Sequence, residues 1–359
     1  MYCIVAPEMV NNILDSGTPR QKRWAERMKK KAERIRERRE QKEMREEERK
    51  KRKEEKEKRR EERQRRGTLD QLNRKVIDAR NPARNRMEGG NTSEDEDVNS
   101  AYDFAGIIHE FFLKEFNRKS IDDAGMDLVA TVHYREDDEE FYNAFWDEKE
   151  TSLKYGEGDG SIFKSFARDL TIAAHEHVHG VIHYSGGLLY ENQSGALNES
   201  ICDVFASMIL QYRNQEEARK ASWVIGENIL GKVVKGSTGV GLRSLRAPGT
   251  AYNHKRIGRD LQPAHMDGFI KTKEDFGGVH LNSGIPNHAF FLIANALGGN
   301  SWENAGKIWY NSLMTADDSL KTFKEWAGIT IDQANKLPRN IRDTAVFSTE
   351  HAWKLVGVL

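Results

Sequence analysis

The chain has 359 residues, with 57 Lys/Arg, 57 Asp/Glu and two cysteines. That length is enough for two domains. Cys3 and Cys202 lie too far apart for a disulfide framework or a cysteine-based zinc or redox spacing, and no apolar run reaches the roughly 18 residues of a membrane span. The zero net charge hides a division: residues 20–66 carry 25 Lys/Arg against 13 Glu, which leaves 32 against 44 elsewhere, so a basic arm of +12 adjoins an acidic body of −12.

The opening "MYCIVAPEMVNNILDSG" has no basic leader followed by an apolar core, so synthesis in the cytoplasm without a classical signal peptide is expected, with export by a non-classical route left open. In residues 1–19, Pro7 is placed to start a helix through Met9–Leu14, and "DSGTP" to stop it. Residues 20–66 repeat Glu-to-basic pairs at i,i+4 (Glu46–Lys50, Glu54–Lys58, Glu61–Arg65), each adding roughly 0.2–0.5 kcal/mol to a helix. Trp24, Met28, Ile35 and Met44 form no heptad, so a solvated single helix ending at Gly67 is expected. Docking of its basic run on acidic surfaces, nucleic acid or anionic membrane is the alternative to a spacer.

Residues 67–100 read as a junction rich in Asn, Gly, Ser and acid. From residue 101 the chain reads as globular. A helix is expected over "SAYDFAGIIHEFFLKEFN", a strand over "MDLVATVHY", a second strand or edge over "FYNAFWD", a turn at "YGEGDGSIF" and one helix over 164–186. Further helices are expected over 195–218, 287–298, 302–314, 318–328 and 331–336. The fold class is α+β, with one mixed domain over 101–186 and a mainly helical one over 187–359.

"AAHEHVHGVIHYSGGLLYENQSGALNESICDVFA" (173–206) carries the chemistry. A helix turns about 100° per residue, so His175 and His179 share a face and can grip one ion. Glu176 lies one step away, within reach of a water on that ion. His177 points about 200° from His175 and is expected to pack; His183, one turn further on, is also read as packing. A catalytic zinc takes three protein ligands and leaves a position for water. Glu199, on the next helix, supplies the third. Asp203, one turn on, is placed to accept a ring N–H from a zinc-bound imidazole, and Asn198 beside Glu199 is read as a second such partner.

These residues closely resemble the thermolysin family of zinc metallopeptidases, in which H-E-x-x-H is followed after twenty residues by a Glu inside G-A-x-N-E; His179 to Glu199 is twenty here. "GGLLYENQSGALNES", "YNAFW" (142–146), "GLRSL" (241–245) and "DFGGVHLNSGIPNHAF" (275–290) match further family segments in order from about Val76 to Leu359. "CIVAPEMVNNILDSGTPRQ" resembles the short propeptide of the protealysin subgroup, with Ala6 where that motif has a first Pro, and the charged arm looks like an insertion before the junction.

The resemblance implies a thermolysin-like two-domain fold with zinc in the cleft between domains, and a neutral endopeptidase made as a self-inhibited precursor. It implies Glu176 as general base, Tyr190 and His280 as oxyanion donors and Asp275 as the residue orienting His280. Asn143, Ala144 and Arg243 would hold the substrate backbone. Phe163, Ile172 and Leu242 would line a pocket for bulky apolar residues after the scissile bond. Its partners would be protein or peptide substrates and its own propeptide, and a monomer is expected. The family's double calcium site has carboxylates where this chain has Thr171 and Leu210, so no structural calcium is expected there. The cut is expected between Asn73 and Val76. Cys3 is read as packing, with a zinc-capping thiolate as the alternative. The competing reading of the whole chain is a silent zinc-binding interaction module localised by its arm; the presence of Glu176 argues against it.

Overall fold

The computed structural model of the protein describes residues 4–5, 7–39, 72–137, 139–185, 187–234, 240–316 and 321–359. Cys3 and residues 40–66 of the arm therefore lie outside the described residues. The chain opens on two helices, α1 (Pro7–Ser16) and α2 (Pro19–Arg39). The arm was expected to be solvated along its length, and here the structure differs. Trp24, Ala25 and Met28 are buried in the same apolar cluster as the body. Three apolar residues on neighbouring faces suffice to seat a helix that is otherwise charged, because burial of an indole outweighs many weak exposed pairs.

A six-stranded sheet forms the N-terminal lobe: β1 (Arg74–Asp78), β2 (Arg86–Met87), β3 (Leu128–Glu136), β4 (Glu139–Glu140), β5 (Ala144–Asp147) and β6 (Ser152–Gly156). Its order is β2-β1-β3-β6-β5, with β4 paired to β3. β1 runs parallel to β3, with Val76 opposite Ala130, and β5 closes the edge antiparallel to β6. The lobe thus begins well before residue 101, and the expected junction contains β1, β2 and, from Glu96, the start of the first helix of the lobe. Asn73 O already accepts from Leu128 N at 2.8 Å, so a cut between Asn73 and Val76 would sever a formed ladder. The turn expected at "YGEGDGSIF" starts inside β6.

α3 (Glu96–Phe116), capped at its N-terminus by Asp95, connects the first strands to β3. α4 (Leu170–Ser185) runs beneath the sheet with 14 of its residues buried, and α5 (Asn192–Asn214) packs against it. α6 (Asp275–Asn282), α7 (Gly284–Leu297), α8 (Asn304–Thr315), α9 (Phe323–Ala334) and α10 (Arg339–Leu355) complete a helical C-terminal lobe. Trp309 and Trp353 stack there at 6.1 Å. The helix expected at 331–336 is the end of α9, and α10 was not expected; its "RNIRDTAVFSTEHAWKL" buries only five residues in 17.

Candidate active site

Two buried helices present the zinc-type donors. His175 and His179 on α4 bring their Nε2 atoms within 3.1 Å of each other. From α5, Glu199 places Oε2 3.3 Å from His175 Nε2 and Oε1 3.5 Å from His179 Nε2. Ligands about 2.0–2.1 Å from one tetrahedral zinc lie about 3.3 Å apart, so this triangle has the right size. The opposite ring nitrogens are already engaged: His175 Nδ1 with Asp203 Oδ1 at 2.8 Å and His179 Nδ1 with Asn198 Oδ1 at 2.9 Å. Both Nδ1 atoms are thus engaged, and the two Nε2 atoms face each other across 3.1 Å. Such a contact calls for a shared cation, a proton in the metal-free site or a metal ion, and with the Glu199 carboxylate beside it the donor set fits a divalent ion. Against the cost of burial, hydrogen bonds to Asp203 and Glu199 raise His175 to about 9, while burial holds His179 at about 3.

Cys202 is buried beside this cluster, with Sγ 3.2 Å from His179 Nδ1. That is the side of the ring bonded to Asn198, away from the Nε2 pair. Burial and the carboxylates of Glu199, Glu176 and Asp203 push its thiol well above the ordinary range. Cys202 packs; it does not join the triangle. His177 also packs, as expected, with Nδ1 bonded to Ala173 O at 2.7 Å.

Glu176 accepts from Trp146 N on β5 at 3.1 Å, and among the described residues its buried Oε1 meets no hydrogen-bond partner. Burial and the Glu199 charge raise it to about 8, with His175 pulling the other way. Tyr190 bonds its hydroxyl to Glu199 Oε1 and lies 3.4 Å from His280 Nε2. His280 Nδ1 sits 2.6 Å from Asp275 Oδ1, and its backbone N–H donates to Asp275 Oδ2 at 2.8 Å. Against burial, Asp275 and Glu199 raise His280 to about 10. The turn that delivers this imidazole holds Asp275, Phe276, Gly277 and Gly278 all at positive φ. A Cβ at Gly277 would lie 2.4 Å from Asn192 Oδ1, so the glycine is required by space as well as by conformation.

Asn143 and Arg243 meet around the N-terminal segment. Ile4 O accepts from Arg243 Nη1 at 2.9 Å, and Val5 N donates to Asn143 Oδ1 at 3.1 Å. Both groups belong to one peptide unit, gripped from two sides. Arg243, on a short strand (Arg243–Ser244), also makes a two-point pair with Asp203 at 2.7 Å each. Ala144 directs its N–H to Asn143 Oδ1 at 2.9 Å. Phe163, Ile172 and Leu242 are buried in one cluster with Ile4. Two participants escaped the sequence reading. Asn287 donates to Asp203 Oδ2 at 2.9 Å; an Asn inside the apolar run "GIPNHAFF" was the available signal. Glu8 of α1 approaches the Tyr252 hydroxyl at 3.4 Å, and nothing local announces that contact. At the two positions where the resemblance implied calcium-binding carboxylates, Thr171 Oγ1 bonds Asp169 Oδ1 and accepts from Gly226 N, while the side chain of Leu210 carries no oxygen.

A two-lobed α+β fold with a His-His-Glu triangle between two helices defines a metallopeptidase. The catalytic-domain profile of the thermolysin metallopeptidases matches residues 29–183, and the α-helical-domain profile of the same family matches residues 186–358. The chain is 43% identical over 296 residues to an extracellular metalloprotease of Pectobacterium carotovorum subsp. carotovorum, covering 80% of this chain and 82% of that one. It is 42% identical to Protease PrtS of Photorhabdus sp. (strain Az29), over 80% and 77% of the two chains. The solved precursor of protealysin, a metalloproteinase from Serratia proteamaculans, superposes with a TM-score of 0.81 at 35% identity and covers all of both chains. This chain belongs to the thermolysin metallopeptidase family, of the protealysin type, and is a zinc metalloendopeptidase.

Proposed function

We propose that the chain is the self-inhibited precursor of a neutral endopeptidase that cleaves on the N-terminal side of bulky apolar residues, with zinc held by His175, His179 and Glu199. The carrying observation is the peptide unit between Ile4 and Val5, held by Arg243 and Asn143 as a substrate backbone would be. The side chain of Ile4 is fully buried, which supports an apolar pocket lined by Phe163, Ile172 and Leu242. The chain thus fills its own cleft with the kind of residue it would select.

A zinc ion in the triangle would supply a Lewis acid that polarises the scissile carbonyl and acidifies the attacking water. Glu176 takes the water's proton and returns it to the leaving amine; its free Oε1 and raised affinity for protons suit both steps. Tyr190 and His280 donate to the oxyanion that develops, each contributing a few kcal/mol, about 3 by analogy with other such donors. Asp275 fixes the His280 ring. Asp203 and Asn198 fix the two ring orientations that present Nε2. Asn143, Ala144 and Arg243 align the substrate chain.

Activation cuts upstream of Asn73, which keeps β1 whole. Thr171 and Leu210 leave the double calcium site without two of its carboxylates, so zinc is the only ion assigned. The Pectobacterium relative is named as extracellular, which supports work outside the cell. Casein digestion by wild type and Glu176→Gln, each with and without a chelator, tests the reading. Activity in untreated wild type alone is expected, and mass spectrometry should find a new N-terminus upstream of Asn73. Casein digestion by the Glu176→Gln chain, or by chelated wild type, would refute it.

A further inference from the structure

A helix as charged as α2 has little reason to touch the body, yet it lies along the edge made by β3, β4 and β5. Arg20 pairs with Glu140, Arg27 with Glu139, and Lys31 with Glu136. Arg27 Nη2 also donates to Glu140 O at 3.1 Å, and Gln21 donates to Asp159. Inside this ring of pairs, Trp24 is 2% exposed and packs on Tyr142 with ring centroids 5.5 Å apart. Ala25 and Met28 are buried beside it, and Lys31 Nζ lies 5.7 Å from the Phe145 ring centroid. Tyr142 immediately precedes Asn143, which holds Val5. The surface under α2 is therefore continuous with the strand that aligns the substrate. Activation upstream of Asn73 would separate α2 from the body and return to solvent an aromatic floor with an acidic rim.

We propose that in the processed enzyme this surface is an exosite, selecting protein substrates that carry a basic amphipathic helix on the C-terminal side of the scissile bond. The inference rests on the precursor reading above. The occupant's chemistry is read from α2 itself. Trp24 and Met28 share a helix face, and Arg20, Arg27 and Lys31 border it at spacings that meet Glu140, Glu139 and Glu136. An anionic ligand such as nucleic acid is repelled by the same rim. The exposed ion pairs steer and orient, and the buried indole anchors. Trp24 stands twenty positions after Ile4, so the recognised helix lies far along the substrate chain from the residue held in the cleft.

The test uses processed enzyme and two fluorogenic substrates. One is a short peptide with Leu after the scissile bond; the other is the same peptide continued through residues 5–31 of this chain. At low salt the extended substrate should show a kcat/KM about tenfold or more above the short one, because its anchor adds binding outside the cleft. Glu136→Gln/Glu139→Gln, which leaves the Glu140–Tyr142 bond intact, should cut that preference about fivefold, or about 1 kcal/mol for two exposed pairs. Molar salt should do the same. The short peptide's kcat/KM should not change in either case. Equal kcat/KM for the two substrates, or a preference untouched by the double variant, overturns the exosite while leaving the proteolytic reading standing. Failure of wild type to cleave the short peptide overturns that reading, and the exosite with it.

Discussion

On the precursor reading proposed above, Glu8 is expected to make latency sensitive to pH. Burial raises its carboxyl to about 7, with the charges of Asp275 and Asp260 adding to that and a backbone hydrogen bond and His280 opposing it. In an undocked α1 the group has its ordinary value of 4.5. The docked state therefore holds the proton more tightly. Docking has its full strength below about 4.5, weakens as pH rises towards 7, and is flat above that. The span from 4.5 to about 7 corresponds to about 3 kcal/mol, or about 300-fold in the opening equilibrium. Glu8 keeps some contact with solvent, whose screening makes that value a ceiling; a rise of at least about tenfold is expected. Glu8→Gln imitates the protonated acid and should stay closed throughout. The assay is the initial rate of short-peptide hydrolysis by intact precursor from pH 4.5 to 8, divided by that of processed enzyme. Both precursors yield the same processed molecule, so its own pH profile cancels. Superimposable profiles for wild type and Glu8→Gln, or wild-type opening that falls with pH, would refute the reasoning.

Three further outcomes follow from particular contacts. A Cβ at Gly180 would lie 2.8 Å from Ile121 Cγ2 and 3.3 Å from the Trp146 ring. Gly180→Ala should therefore lower stability by about 1–3 kcal/mol in urea unfolding, by overpacking α4 against the sheet. His280→Ala should lower kcat about 10²–10³-fold with little change in KM, since its bond forms to developing charge; an effect on KM alone would contradict its role. Asp203→Asn leaves Arg243 buried without its counter-charge and His175 with a weaker acceptor. Zinc affinity should fall about 10–100-fold in a chelator competition, with unfolding free energy down by about 3–5 kcal/mol.

The site was legible where its logic is local. Helical spacing put His175 and His179 on one face, and the zinc ligand count called for the oxygen that Glu199 supplies from the neighbouring helix. Asn143, Arg243 and His280 had no local signature and came through the family resemblance; the structure brings them to the cleft from β5's edge, a two-residue strand and a left-handed turn. The strands β1 and β6 were missed because "RKVID" and "SLKYG" are short and carry lysines. Lys154 is nonetheless buried, bonded to Glu150 and Thr131. The seating of α2 was hidden by composition: Trp24, Ala25 and Met28 are diluted by charged neighbours, so the periodicity is too sparse to read. Glu8 shows the remaining gap, since its partner Tyr252 lies 244 positions away.

The central claim is that α4 and α5 grip one divalent ion through His175, His179 and Glu199. Zinc content by mass spectrometry of purified wild type and Glu199→Ala, each checked for folding by circular dichroism, tests it most directly. One zinc per wild-type chain, and its loss from a folded Glu199→Ala chain, is the expected result. Folded wild type without stoichiometric metal, or a Glu199→Ala chain that keeps its zinc, would contradict it.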